Sequence, residues 1–275
     1  MSELLCLWKN VKSSLDAWRE DWCGLVDGYG QVEAVRQRSE EGRTWSDNET
    51  FEALLMSVLS NNTDWAKIEG IRTELSDVFS GFDLEWYAGL SEDDISGRIV
   101  PWFQERRAGS MVLKHSLVHL IGTADKLYEY SRPDRPAESY FTSLVQRLKN
   151  DPKRVALRLG THGDEYKLPA FGVPLAAEAL KNLGFDVAKP DRHLNRAVAA
   201  FGLIEVGAWP NRDRRGTPHP NRRLFIDAMA ATQEIAAAAD VPVALVDNAI
   251  WLLCAKSGAW WTNPQLEALA VASDA

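Results

Sequence analysis

Cysteine is scarce: Cys6, Cys23 and Cys254 are the only three in 275 residues, and they lie far apart in sequence. That spacing excludes a disulfide framework and points to a reducing compartment. No apolar run reaches the length needed to cross a bilayer. No stretch alternates apolar and polar residues with the period of a half-buried strand, and no segment repeats. The opening MSELLCLWKNVKSSLDAWREDW reads as an amphipathic, tryptophan-rich helix rather than a signal peptide. These absences predict an all-α protein in the cytoplasm, with no membrane contact.

Positive charge is also in short supply, with 31 basic against 39 acidic residues and a net charge of −8. Its distribution is uneven. Residues 1–100 carry 9 basic and 20 acidic groups, whereas residues 140–223 carry 15 basic and 8 acidic. A local basic excess of this kind is either an electrostatic footprint for phosphates or a solvated surface clustered by chance.

What is present is helix after helix. Periodicity and caps predict helices over 2–22, 47–60, 64–79, 107–129, 137–149, 151–159, 173–183, 191–201, 221–239, 242–255 and 263–272. The proline- and arginine-rich stretch 210–220, leading into Asn221-Arg222-Arg223, reads as a loop, either simply solvated or in contact with a phosphate backbone. Tryptophan is abundant, with 11 copies. Most of these must be core, while Trp102, Phe103 and Trp45 are candidates to stack on a flat ligand.

The most informative segment is 167–203, KLPAFGVPLAAEALKNLGFDVAKPDRHLNRAVAAFGL. Leu168-Pro169-Ala170-Phe171-Gly172 reads as a turn, with Pro169 fixing φ and Gly172 offering a conformation that a Cβ resists. A helix beginning after Gly172 turns free N–H groups outward, which makes an anion site. Lys189-Pro190 is then extended, and Asp191 is an N-cap ahead of the apolar face Leu194, Val198 and Phe201.

These residues resemble the helix-hairpin-helix DNA glycosylases, the superfamily of endonuclease III and the mispair-adenine, 8-oxoguanine and 3-methyladenine glycosylases. LPAFG at 168–172 matches that family's LPGxG hairpin, and Pro190-Asp191-Arg192-His193-Leu194-Asn195-Arg196 matches its V-D-x-H-x-x-R-like aspartate motif. Upstream, Phe51-Glu52-Ala53-Leu54 through Ser60-Asn61-Asn62-Thr63 matches its F-E-x-L…S-Q-Q-T helix and turn. The resemblance covers roughly residues 45 to 255.

It implies two helical lobes with a cleft between them and a helix-hairpin-helix element. One lobe would comprise 1–61 with 185–275 and carry Asp191; the other, 62–184, would end in the hairpin. The implied activity is extrusion of a modified base from double-stranded DNA and hydrolysis of its N-glycosidic bond, leaving an abasic site. Asp191 would be the catalytic carboxylate, its plain alternative being an N-cap alone. The hairpin at Leu168, Ala170 and Gly172 would meet a phosphate. Asn61 and Asn62 would fill the gap left by the base, unless they are only a polar helix end. Arg192 and Arg196 would assist, or be surface arginines. His193 would orient rather than donate a proton.

Several departures sharpen the expectation. Ala170 stands where the family has its first hairpin glycine. Pro174 stands where bifunctional members carry a nucleophilic lysine, which implies no lyase step. Three cysteines exclude the iron–sulfur cluster. His115 and His119 share a helix face but lack a third ligand, so no metal and no cofactor are expected, although relatives hold a monovalent cation at the hairpin. The protein is expected to be a monomer. The substrate stays open between a damaged base in repair and a hypermodified, for example glycosylated, cytosine of phage DNA in defence. A reading of another class is a DNA-binding protein that keeps the scaffold without catalysis.

Overall fold

The computed structural model describes residues 2–204 and 221–271. It is all helical, with no strand among the described residues. Three helices come first, α1 (Glu3–Trp18), α2 (Trp22–Gly28) and α3 (Gln31–Glu41). Next come α4 (Asp47–Leu59), the short α5 (Trp65–Glu69), α6 (Arg72–Val78), α7 (Leu84–Ala88) and α8 (Glu92–Asp94), which runs through a π turn into α9 (Val100–Glu105). Then follow α10 (Leu113–Tyr130), α11 (Glu138–Arg147), α12 (Pro152–Gly160) and α13 (Val173–Asn182). The last four are α14 (Arg192–Ala200), α15 (Arg222–Ala239), α16 (Val243–Cys254) and α17 (Asn263–Val271). No single helix among the described residues is long and apolar enough to cross a membrane.

The chain forms two compact units, residues 1–41 with 184–275, and residues 42–183. The sequence divides at 61/62 and 184/185 by resemblance; the contacts divide at 41/42 and 183/184, because α4 packs with α10 and α13.

In the 42–183 unit, α4 is the central helix. A reciprocal cap starts it: the Ser46 hydroxyl accepts from the Glu49 N–H while the Glu49 carboxylate accepts from the Ser46 N–H. Phe51, Leu54, Leu55, Val58 and Leu59 are all buried. Tyr87 of α7 lies against Phe51 with ring centroids 4.6 Å apart, and its buried hydroxyl donates to the Leu117 carbonyl of α10 at 2.9 Å. That bond satisfies the one polar atom the ring carries into the core.

In the other unit, α16 is buried almost throughout and packs against α1, α14 and α15. α1 contributes Leu7, Trp8, Val11 and Leu15 on one face, spaced as an amphipathic helix requires.

Some helices differ from those expected. The helix expected over 107–129 begins only at Leu113, because Arg107 at φ 50° and Gly109 at φ 86° break the run. Unexpected helices are α2, which follows a break after Trp18 where a single helix over 2–22 was expected, α3, too charged to show an apolar stripe, and α7 to α9, too short for periodicity to register.

Candidate functional site: a turn beside a cavity and a tethered aspartate

Within the 42–183 unit, α13 runs beside α4, and the Asn182 amide donates to the Ala53 carbonyl at 3.0 Å and to the Ser57 hydroxyl at 3.2 Å. α12 delivers the chain to the turn. Its Leu159 carbonyl accepts from the Leu168 N–H at 3.0 Å. Gly160 closes against the start of α13, where a Cβ would lie 2.3 Å from the Val173 nitrogen. From α10, the Thr123 hydroxyl donates to the Pro169 carbonyl at 2.6 Å, and Gly122 leaves room for the Pro169 ring.

A cavity of about 570 Å³ opens beside this turn. Asn61 and Asn62, which follow α4, line it together with Pro169, Ala170, Phe171 and Gly172. Two sequence segments about 105 residues apart thus meet at one surface. His115, His119, His162 and Lys167 complete its polar wall, and no carboxylate lines it. The His115 and His119 rings are 4.2 Å apart, and among the described residues no group of three or more ligands could hold a metal ion. Gly172 is the N-cap of α13 with no side chain capping it, so backbone N–H groups at that helix start are unspent by the helix.

The turn differs from expectation in where its strain lies. Gly172 is extended, at φ −87° and ψ 173°, a conformation open to any residue. The left-handed residue is Ala170, at φ 68°. A conformation that favours glycine is thus held by an alanine, at a cost of about 1 kcal/mol. Ala170→Gly is expected to raise the unfolding free energy by about 0.5–1 kcal/mol in urea titrations. An unchanged midpoint would show that the turn relaxes around the methyl. Leu168, expected to meet phosphate, is buried and does not line the cavity; its N–H and carbonyl are spent on Leu159 and Lys167.

Asp191 belongs to the other unit, on a backbone held along its length. The Asp186 carboxylate accepts from the Val243 and Ala244 N–H groups at the start of α16, each at 3.0 Å. The Lys189 N–H donates to Asp247 at 3.1 Å, and the Asn195 amide donates to the Pro190 carbonyl at 3.1 Å. Asp191 caps α14 with one oxygen: Oδ1 accepts from the His193 N–H at 2.7 Å and the Leu194 N–H at 3.2 Å. Its second oxygen makes no hydrogen bond among the described residues.

No protein-family model, characterised protein or solved structure matches this chain. The chemistry must therefore be read from the residues themselves.

Around Asp191 stand a half-buried imidazole, a buried thiol and two arginines. Burial pushes the His193 imidazole below its ordinary value, with the Asp191 carboxylate opposing that shift. Its Nε2 accepts from Arg192 Nε at 3.4 Å. Burial pushes the Cys254 thiol up to about 12, which removes a thiolate from consideration. Arg192 is exposed. Arg196, expected to assist at DNA, is spent on structure: its guanidinium donates to the carbonyls of Trp261 at 2.7 Å and Cys254 at 3.3 Å, and to Asn263 Oδ1 at 3.2 Å. These bonds tie α14 to the end of α16 and the start of α17.

The aromatic candidates are also displaced. Phe103 is fully buried against Phe79, Trp102 lies under the Arg106 guanidinium at 4.1 Å, and Trp45 is buried; none lines the cavity. A large apolar residue is simply more stable in the core. Instead, half-buried Trp251 sits edge-on to His193 at 6.4 Å and to Tyr29 at 6.0 Å, an aromatic group beside His193 that the sequence did not single out. Helical spacing of Trp251 with Val243 and Asp247 on α16 was the available signal. Met111, fully exposed next to the cavity-lining Val112, was hidden by the helix expected there. The basic stretch 210–220 lies outside the described residues.

Proposed function

We propose that this chain is a monofunctional DNA glycosylase, acting on a modified base in double-stranded DNA and leaving an abasic site. The observation that carries the proposal is the shared cavity of Asn61, Asn62 and the Ala170–Gly172 turn, with His115, His119 and His162 in its wall and no carboxylate lining it. A phosphodiester suits such a wall, since helix-start N–H groups favour an anion and no lining carboxylate repels one. Met111 beside it has the character of an apolar wedge, the kind that proteins insert between base steps when they kink a duplex.

Asp191 supplies the chemistry. Breaking the N-glycosidic bond moves the bonding pair onto the base and leaves positive charge on the sugar. A fixed carboxylate stabilises that charge, and water then adds at C1′ as its proton departs. Pro174, with no side-chain nitrogen, supports hydrolysis over Schiff-base formation.

Mass spectrometry of bases released from alkylated, deaminated, oxidised and phage-modified DNA should detect one product, absent with Asp191→Asn. Salt-dependent duplex binding with no base released from any of these substrates would instead leave a binding module that lacks catalysis.

A further inference from the structure

Lys167 has no carboxylate partner among the described residues. Its ammonium turns back on its own turn, donating to the Leu168 carbonyl at 2.8 Å and to the Phe171 carbonyl. A second lysine acts similarly one step upstream: Lys126 Nζ lies 3.4 Å from the Glu165 carbonyl and 3.5 Å from the Lys167 carbonyl. Both side chains are half-buried, and burial lowers the pKa of each ammonium. Positive charge held at this cost is retained because carbonyl dipoles converge on it.

The direction of those carbonyls matters. In a trans peptide the C=O and the following N–H point opposite ways. With the Phe171 carbonyl drawn to the ammonium, the Gly172 N–H is turned away from it, and Gly172 is a lining residue of the cavity. Leu168 is followed by Pro169, which has no N–H to orient. The ammonium thus selects the peptide orientation that presents a donor to an anion.

We infer that Lys167 is the turn's own fixed cation, a positioning residue that makes phosphate binding there independent of any bound sodium or potassium ion. The inference rests on the reading of the turn as a phosphate grip. A lysine that met the phosphate directly would act as a point charge in the cavity, and its loss could not be repaired by a small ion behind the turn.

The test is duplex binding by fluorescence anisotropy at one ionic strength in potassium, sodium or tetramethylammonium chloride, the last cation being too large to sit between two carbonyls. Wild-type affinity should agree within about twofold in all three salts, because only ionic strength then enters. Lys167→Met should lose about tenfold in tetramethylammonium and recover to within about threefold of wild type in potassium or sodium, as linked ion binding requires. Wild-type binding that depends on cation identity overturns the inference. So does a Lys167→Met loss equal in all salts, or no loss in any. Should the methionine variant not fold, Lys167→Gln replaces it.

Failure of the wild type to bind duplex in any salt sinks the DNA reading instead. The lysine is then decided by thermal unfolding. A Lys167→Met midpoint below wild type in tetramethylammonium and restored in potassium supports it; a midpoint indifferent to the cation overturns it.

Discussion

Asp191→Asn is expected to slow base release by about 10³-fold while leaving the fold intact, the scale seen when a preorganised electrostatic group is removed from a transition state. The substitution isolates charge. Oδ1 of Asp191 caps α14 through the His193 and Leu194 N–H groups, and asparagine is an equally good cap. Stability should therefore move by less than about 0.5 kcal/mol, whereas Asp191→Ala should cost about 1 kcal/mol through the lost cap. Duplex affinity should stay within about threefold, because the proposed phosphate contact is made by a separate set of residues. Single-turnover release assays and anisotropy on the same preparations check both halves. A release rate unchanged in Asp191→Asn would reduce the aspartate to a cap and remove the catalytic assignment.

The other large effect is expected at Gly160, which no motif singles out. A Cβ there would stand 2.3 Å from the Val173 nitrogen, 2.4 Å from its Cα and 2.7 Å from the Gly172 carbonyl carbon. All three are backbone atoms, so no rotamer change can relieve the overlap. α12 and the first turn of α13 would have to part, at a cost of about 3 kcal/mol. Because that junction carries the turn, Gly160→Ala should also weaken duplex binding by about tenfold, roughly the 1.4 kcal/mol that displacement of one well-placed anion contact costs. Gly172→Ala is the control. Its Cβ would meet only Pro174 Cδ at 3.8 Å, and its φ is ordinary, so the stability loss should stay below about 1 kcal/mol. Urea unfolding of the two variants side by side gives the comparison. Equal stabilities would mean that α12 and α13 part at Gly160 with little loss of packing.

Local signals in the sequence were sound where a residue acts on its own neighbours. Whereas the expected extension at Lys189-Pro190 is instead a tight three-residue turn, the Asp191 N–H donating to the Lys189 carbonyl at 2.7 Å, the cap of α14 by Asp191 follows from a side chain reaching backbone groups two and three residues away. The same holds for the all-α class, since helical periodicity is a property of short windows. It failed where a helix lacks a stripe, as in charged α3, or has too few turns, as in α7.

Long-range facts were of another kind. Nothing near Gly160 in sequence says that Val173 will press on it, and nothing near Arg196 says that carbonyls of Cys254 and Trp261 will take its donors. The turn at 168–172 was legible as a turn, yet the residue that bears positive φ was not. Pro169 sets only its own φ, and the left-handed conformation at Ala170 arises in a segment pinned by Thr123 and Lys167. Sequence alone thus determined the all-α class, most of the longer helices and the cap at Asp191, because those depend on bonds within a few residues. Tertiary structure alone decided which residues share the cavity, which arginine is spent on structure and which residue bears the turn's strain, because each depends on atoms brought together from distant parts of the chain.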